Sequence, residues 1–439
     1  MPLGSVVEEQ QHVAIVPSKE VVAKAKKVSK PESARKGEPA FIMNDRMRRL
    51  STPWSVATIR AGQIDPMSLP AGVILDAAAG SGVQLIALSK LLKRPALGIE
   101  LDEQIATLCA ANMQINSDGE VQRSLDRVLI GDGSNADSAI SQYWSSLRDS
   151  GTRAHPPIAM LHLDPARPRD AQNHDLEEMK PDLKSVLKSW SSHLQNGPRG
   201  PAVLLDLSPR LDSVQRAMVD GILETTFPGN SWTWEWLSRG GGRVDRLSVW
   251  IGSLSSEKMH RCIRVGRKNV IASIEGRPSG ANISQFNSVL EVPRGAFLTI
   301  VDPALVESGL QDIWKEKAVK SGTGSSWIRL EGRRPLLIHT DEISNDDDVR
   351  GFVVSTGKIV QHRLSPPELH TMDQVASSIA KKGISKITLR CSLDPEIHPT
   401  LQRRITKELK SSDGGKGFMV DMSVKRPSGN QKLFVVCKE

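Results

Sequence analysis

Cysteine is scarce in this chain. Its four residues, Cys109, Cys262, Cys391 and Cys437, stand far apart and form no CxxC pair. That excludes a disulfide framework or a zinc ribbon, fits a reducing compartment and leaves the thiols as ordinary packing groups. No apolar run approaches the roughly 18 residues of a membrane span, and the N-terminus lacks the compact apolar block of a secretory signal. The chain is therefore expected to be soluble and cytoplasmic. Histidines such as His162 and His339 have no partner at HxxxH spacing and no clustered carboxylates, so they read as structural and no metal site is expected. A Gly-Lys-Ser/Thr run after Gly82, an internal repeat and a coiled-coil heptad are also missing.

What is present is a basic sequence with an α/β rhythm. At 439 residues and 48.0 kDa it has room for two or three domains, each with a core of its own. A net charge of +8 and a pI near 9.3 suit an anionic partner without identifying one. Part of the excess is local: Lys19, Lys24, Lys26, Lys27, Lys30, Arg35 and Lys36 face only Glu20 and Glu32, in a stretch with few large apolar residues. Residues 1–44 are therefore expected to form a basic extension, disordered or weakly helical, either a solvated tail or a nucleic-acid arm. Glu8 and Glu9 ahead of the run, and lysine outweighing arginine, argue against a transit peptide. Order is expected from about Phe41.

From Val73, short apolar runs alternate with amphipathic segments, the signature of a doubly wound sheet. Strands are predicted at Val73–Asp76, Ala96–Glu100, Arg127–Gly131, Ile158–Asp164 and Ala202–Leu207, with helices between them. The segment 181–194 places Leu183, Val186, Leu187, Trp190 and Leu194 on one helical face. After a helix over 211–226 a hairpin is predicted. Trp232, Trp234 and Trp236 alternate on one strand, Arg239 to Arg243 form a glycine-rich turn, and 247–251 return. A stripe at period two is a buried sheet face, with nucleobase stacking as the alternative.

The first strand runs into Leu75-Asp76-Ala77-Ala78-Ala79-Gly80-Ser81-Gly82. It delivers Asp76 to the carboxyl edge of the sheet, and the turn through Ala78, Gly80 and Gly82 is the predicted cofactor loop, its glycines removing Cβ atoms that would block a ligand. Glu100, 18 residues after Gly82, ends the next strand near the roughly 20-residue spacing of a ribose-binding carboxylate. A dinucleotide fingerprint needs a third glycine at position 85, which is Leu. S-adenosylmethionine is the cofactor this leaves, because it has no phosphate to cradle and needs close backbone approach and carboxylates. The fourth strand ends in Leu163-Asp164-Pro165-Ala166-Arg167, the predicted reaction centre. There Asp164 can accept a hydrogen bond from a substrate N–H or take its proton, and Pro165 stiffens the loop; capping the following turn is the alternative. Arg167 and Arg169 either hold a substrate phosphate or pair with Glu177 or Glu178. Asp206 ends the fifth strand near the substrate opening.

The stretch LDAAAGSG resembles the first motif of class I methyltransferases. The tetrad at 164–167 is similar to the D/N-P-P-Y/F of amino-group methyltransferases, with Ala166 for the second proline and Arg167 for the aromatic. It is also similar to the Asp-Pro-Pro-Arg of RNA uridine C5 methyltransferases, which need a nucleophilic cysteine that no comparable loop here supplies. With Trp-Leu-Ser-x-Gly-Gly at 236–241 and Asp302-Pro303-Ala304-Leu305-Val306, residues 45–439 resemble class I SAM-dependent methyltransferases with a C-terminal THUMP-like domain. The resemblance implies a Rossmann-like sheet with an antiparallel closing hairpin over 45–255 and a small THUMP-like α/β domain over 351–439. Between them lies a mixed α/β region over 256–350, with the acidic run Asp341 to Asp348 as a hinge. It places Asp132 of Gly131-Asp132-Gly133 near the adenine amino group. By analogy it implies methyl transfer to RNA, tRNA or rRNA, with Asp164 positioning the acceptor. A protein or small-molecule methyltransferase and a non-catalytic RNA binder that retains the cofactor are the alternatives. In the tail, Leu401, Ile405 and Leu409 form one helix face and turn Arg403, Arg404, Lys407 and Lys410 outward, beside Lys416, Lys425 and Arg426. That basic face is either solvated or a nucleic-acid surface.

Overall fold

A computed structural model of the chain describes residues 11–117, 123–165, 176–279, 295–320, 324–410, 413–426 and 429–439. They fall into two compact units, one of residues up to 235 with 246–259 and 267–269, the other of 236–245, 260–266 and 270–439.

The first unit is built on strands β1 (Val13–Ile15), β2 (Val73–Asp76), β3 (Ala96–Glu100), β4 (Arg127–Ile130), β5 (Ile158–Leu163), β6 (Gly200–Leu207) and β7 (Arg246–Gly252). Their order is β1-β4-β3-β2-β5-β6-β7. The five middle strands run parallel, and β1 and β7 flank them antiparallel. Strands covered on both faces read as continuous apolar runs, as β2 (VILD) and β5 (IAMLHL) do, and every residue of both is buried. The chain leaves β2 for β3 on one side and later returns to place β5 on the other. That reversal opens a crevice beyond the carboxyl ends of β2 and β5.

The extension, expected to be disordered or weakly helical, is ordered over its described part, which corrects the disorder and keeps the helix. Helix α1 (Lys19–Ala25) is N-capped by Ser18. It buries Ala25 with Ile42, Met47, Leu108 and Ala111, the last two on α4 (Glu103–Ile115), which follows α2 (Trp54–Ala61) and α3 (Val83–Leu92). The physical reason is that β4 would otherwise present an unpaired edge and α4 an uncovered apolar face, and a few small apolar residues suffice to cover both.

In the second unit the strands β8 (Phe297–Val301), β9 (Ser325–Arg329), β10 (Leu336–His339), β11 (Val353–Leu364), β12 (Ile384–Leu389), β13 (Gly415–Arg426) and β14 (Gly429–Lys438) form one sheet. Its order is β9-β10-β8-β11-β14-β13-β12. Side chains alternate along β13 and β14. Phe418, Val420, Leu433 and Val435 enter one core, while Met419, Phe434 and Val436 enter another with Met372, Val375, Leu401 and Ile405 of helices Met372–Ala380 and His398–Glu408. The expected boundary near 350 is absent. Strand β8 pairs on one side with β10 and on the other with β11, so the connecting region and the tail share a sheet. The acidic run expected as a hinge contains the short helix Asp347–Arg350, with Asp346 accepting the Asp348 N–H at 2.8 Å. No helix among the described residues is long and apolar enough to cross a membrane.

Candidate functional site

Four predicted site residues converge where β2, β3, β4 and β5 end. The loop after β2 turns on two glycines in the left-handed region, Gly80 at φ +52° and Gly82 at φ +76°. Their roles differ. A Cβ at Gly80 would meet nothing nearer than the Ala78 carbonyl oxygen at 4.0 Å, so this glycine borders open space, a cradle a ligand can enter. A Cβ at Gly82 would come within 2.8 Å of Cys109 Sγ, so that glycine serves the packing of α3 against α4 and not ligand approach. Glu100 accepts the Gly80 N–H at 3.0 Å through one oxygen and the Asp102 N–H at 3.0 Å through the other. Burial raises its carboxyl above its ordinary value, and the two N–H donors oppose that shift. A carboxylate has about four lone-pair sites, so two remain for hydroxyl groups.

Asp76, delivered to the carboxyl edge of the sheet beside the predicted cofactor loop, is only 2% exposed. Its Oδ1 accepts the Ala78 N–H at 3.1 Å and its Oδ2 lies 2.8 Å from His162 Nδ1. Both oxygens are thus engaged in shaping the loop from beneath.

His162 Nε2 lies 3.3 Å from Asp206 Oδ2 at the end of β6. Burial opposes a charge on His162, but Asp76 and Asp206 together outweigh it and push the imidazole up to about 9. Asp206 in turn receives Arg60 of α2, which forks onto both its oxygens, one of them at 2.7 Å. Ser248 donates to Asp206 at 2.8 Å, and Arg246 stands 3.5 Å away. Burial favours the neutral acid, yet Arg60, Arg246 and His162 hold Asp206 well below the usual carboxylate range. Arg246 then reaches Asp164, donating to Oδ2 at 3.0 Å, and also binds Thr52. Asp164, Arg246, Asp206, His162 and Asp76, with Arg60, form a chain of three cations and three carboxylates. It links the predicted reaction centre to the underside of the cofactor loop. Asp164, with its side chain 38% exposed, is the end of that chain that meets solvent. Its Oδ1 has no partner among the described residues.

Asp132 closes its own turn, Oδ1 accepting the Ser134 N–H and hydroxyl at 2.8 Å each. The loop around it is set by close contacts. A Cβ at Gly133 would lie 2.0 Å from the Ala77 carbonyl oxygen, and one at Gly131 would strike the His12 ring. His12, just before β1, bonds Ser138 at 2.9 Å and the Asp132 carbonyl at 3.1 Å. Pro165 is buried behind Asp164. Arg167, with Ala166, Pro168 and Arg169, lies outside the described residues. The tryptophan stripe is a buried face, and Trp232 and Trp234 both donate to Asp220 Oδ1, at 2.8 and 2.9 Å. All four cysteines are buried and free.

Sequence reasoning missed Arg60, Arg246 and His12. Arg60 sits inside an apolar helix and is fully buried, and that misfit of a charge in an apolar pattern was the available signal. His162, set among apolar β5 residues, carried the same signal.

No family model matches the sequence, and no curated protein matches it. Among solved structures, a candidate methyltransferase from Porphyromonas gingivalis W83 is 15% identical, with alignment covering 95% of this chain and 88% of that one at a TM-score of 0.58. The likeness is one of fold, a mixed α/β architecture with a large, parallel-rich sheet. A candidate class I S-adenosylmethionine-dependent methyltransferase from Listeria monocytogenes is 14% identical over 47% of this chain and 61% of that one, with a TM-score of 0.30. An O-methyltransferase from Bacillus cereus, solved in complex with SAH, is 15% identical over 54% and 93%, with a TM-score of 0.27. These two align too loosely to carry any argument.

Proposed function

We propose that the chain is an S-adenosylmethionine-dependent methyltransferase acting on RNA, tRNA or rRNA, by non-covalent transfer. The observation that carries this reading is the pairing, at the reversal of one parallel sheet, of an open glycine cradle backed by Glu100 with a half-exposed acceptor carboxylate, Asp164, on the neighbouring strand end. When bound, the cofactor supplies an electrophilic methyl group. Glu100 and the Gly80 turn hold its ribose side, and Asp132 stands at the next strand end for the base. Arg246 fixes one oxygen of Asp164 and leaves Oδ1 to accept a hydrogen bond from an acceptor N–H, which aligns the acceptor lone pair for attack. Three of the buried thiols support a route without a covalent enzyme adduct, since burial pushes Cys109 and Cys437 well above their ordinary value and Cys391 up to about 12.

RNA as the substrate is supported by the net charge and by helix His398–Glu408. That helix buries Leu401 and Ile405 and exposes Arg403 and Lys407, while Arg404 is taken by Asp373 at 2.9 Å. Calorimetry tests the cofactor: SAM and S-adenosylhomocysteine are expected to bind and NAD not to, with Glu100→Ala weakening SAM. Asp164→Ala is expected to lower methyl transfer to RNA by about 10² while SAM affinity holds. Full activity of Asp164→Ala, read by mass spectrometry of labelled nucleosides, would reduce the residue to a turn cap.

A further inference from the structure

The second unit holds a cluster of charge that the site above does not use. Asp421 of β13 is nearly buried, and Ser392 donates its N–H to Oδ1 at 2.7 Å. Two cations share its other oxygen, Arg329 of β9 at 3.6 Å and Lys432 of β14 at 3.5 Å. Arg329 also donates to the Arg334 carbonyl at 3.1 Å and the Asp421 carbonyl at 3.2 Å. Arg334 directs Nη1 to the Cys391 carbonyl at 2.7 Å. The Arg390 side chain has no hydrogen-bond or ion-pair partner among the described residues, and its Nε is shielded from solvent. Arg329 Nη2 is likewise shielded and unpartnered. Burial lowers the Arg334 guanidinium below its ordinary value, and next to burial the largest cause is Arg390. The two arginines therefore stand close enough to repel. Burial and then Asp421 hold the Cys391 thiol neutral, so it adds no negative charge.

Three cations thus stand about one carboxylate and Arg390 stands beside Arg334, with two buried guanidinium N–H groups unspent. Cations gathered in excess of their one counter-charge raise the energy of the folded chain, and a bound oxyanion lowers it. Guanidinium groups suit a phosphate best, because the planar fork matches its oxygens. We propose that Arg329, Arg334, Arg390 and Lys432 form a phosphate-binding site for the backbone of a nucleic acid. The site names a contact for the RNA partner proposed above and is independent of the transfer chemistry, so it is tested without cofactor.

Arg390→Gln is the informative variant because Arg390 holds no protein group in place. In chloride buffer its melting temperature is expected to equal or exceed that of the full wild-type chain, since repulsion with Arg334 is relieved. Its affinity for a fluorescent single-stranded RNA oligonucleotide is expected to fall about tenfold, the scale of one charged hydrogen-bonding contact. The slope of log K against log salt is expected to lessen by about 0.7. Arg334→Gln is expected to repeat the affinity loss, and Lys320→Gln, away from the cluster in sequence, is expected to leave it in place. Unchanged RNA affinity and slope in folded Arg390→Gln would overturn the site. Wild-type protein that binds no RNA but is stabilised by inorganic phosphate beyond chloride of equal ionic strength would overturn the nucleic-acid occupant, without touching the methyl-transfer reading. A melting temperature lowered in Arg390→Gln, with RNA affinity intact, would show a structural role and refute the proposal.

Discussion

Replacing His162 by Gln removes the central cation of the buried chain while keeping a polar side chain of similar reach. In the folded protein the imidazole is raised from an ordinary 6.5 to about 9. A shift of that size corresponds to about 3 kcal/mol of stability, taken at roughly 1.4 kcal/mol per pH unit. Because the folded state holds the proton more tightly than the unfolded chain, this contribution is complete below pH 6.5 and drains away as pH rises through about 9. The variant lacks it at every pH. Urea denaturation of both proteins from pH 6 to pH 9.5 is therefore expected to show a gap near 3 kcal/mol at the acid end, narrowing steadily toward the alkaline end. Taking the difference cancels the titration of groups the two proteins share. The remaining cost at high pH reflects Asp76, which keeps the Ala78 N–H but loses its ring partner, whereas Asp206 still has Arg60. A gap that does not change with pH would refute the assignment of a charged His162 and with it the continuous chain from Asp76 to Asp164.

The loop contacts yield two further expectations. Gly133→Ala drives a methyl group into the Ala77 carbonyl and is expected to cost about 1–3 kcal/mol by thermal melting, whereas Gly80→Ala meets open space and is expected to cost about 1–2 kcal/mol through its backbone angle alone while weakening SAM in calorimetry. Unchanged SAM affinity in folded Gly80→Ala would show that the space at Gly80 is not a cradle. His12→Ala is expected to destabilise the protein by about 2 kcal/mol through two lost hydrogen bonds, a result that no loss in the melt would contradict.

The strands and their carboxyl ends were legible because a buried parallel sheet leaves its pattern in consecutive residues. β2 and β3 are strands over the spans read from sequence, and β5 and β6 differ from expectation only at their ends. Glu100 and Asp164 were legible because a carboxylate at the end of an apolar run has no bland place in the core. The partners of those carboxylates were not. Arg60 and Asp206 lie 146 residues apart, and Arg246 and Asp164 lie 82 apart, so only the closed sheet brings them together. The N-terminal order was hidden for the opposite reason. A three-residue edge strand and a seven-residue helix bury too few large side chains to stand out from a lysine-rich background. The division near 350 failed because composition marks a change of charge, whereas strand pairing decides which segments share a core.

The N-terminal strand is made first and finds its partner late. His12 and Ser138 are 126 residues apart, so a chain synthesised from its N-terminus carries β1 and α1 without a docking surface until α4 and β4 have emerged. Closing so long a loop costs entropy before any contact repays it, and contacts of that span form late. The segment is therefore expected to be added after the parallel strands have assembled and to detach from them first. Its opening uncovers the Gly131 to Gly133 loop while the strands beneath stay paired, and early hydrogen exchange at Val13–Ile15 and Gly131, ahead of β2 and β5, is the signature of that motion.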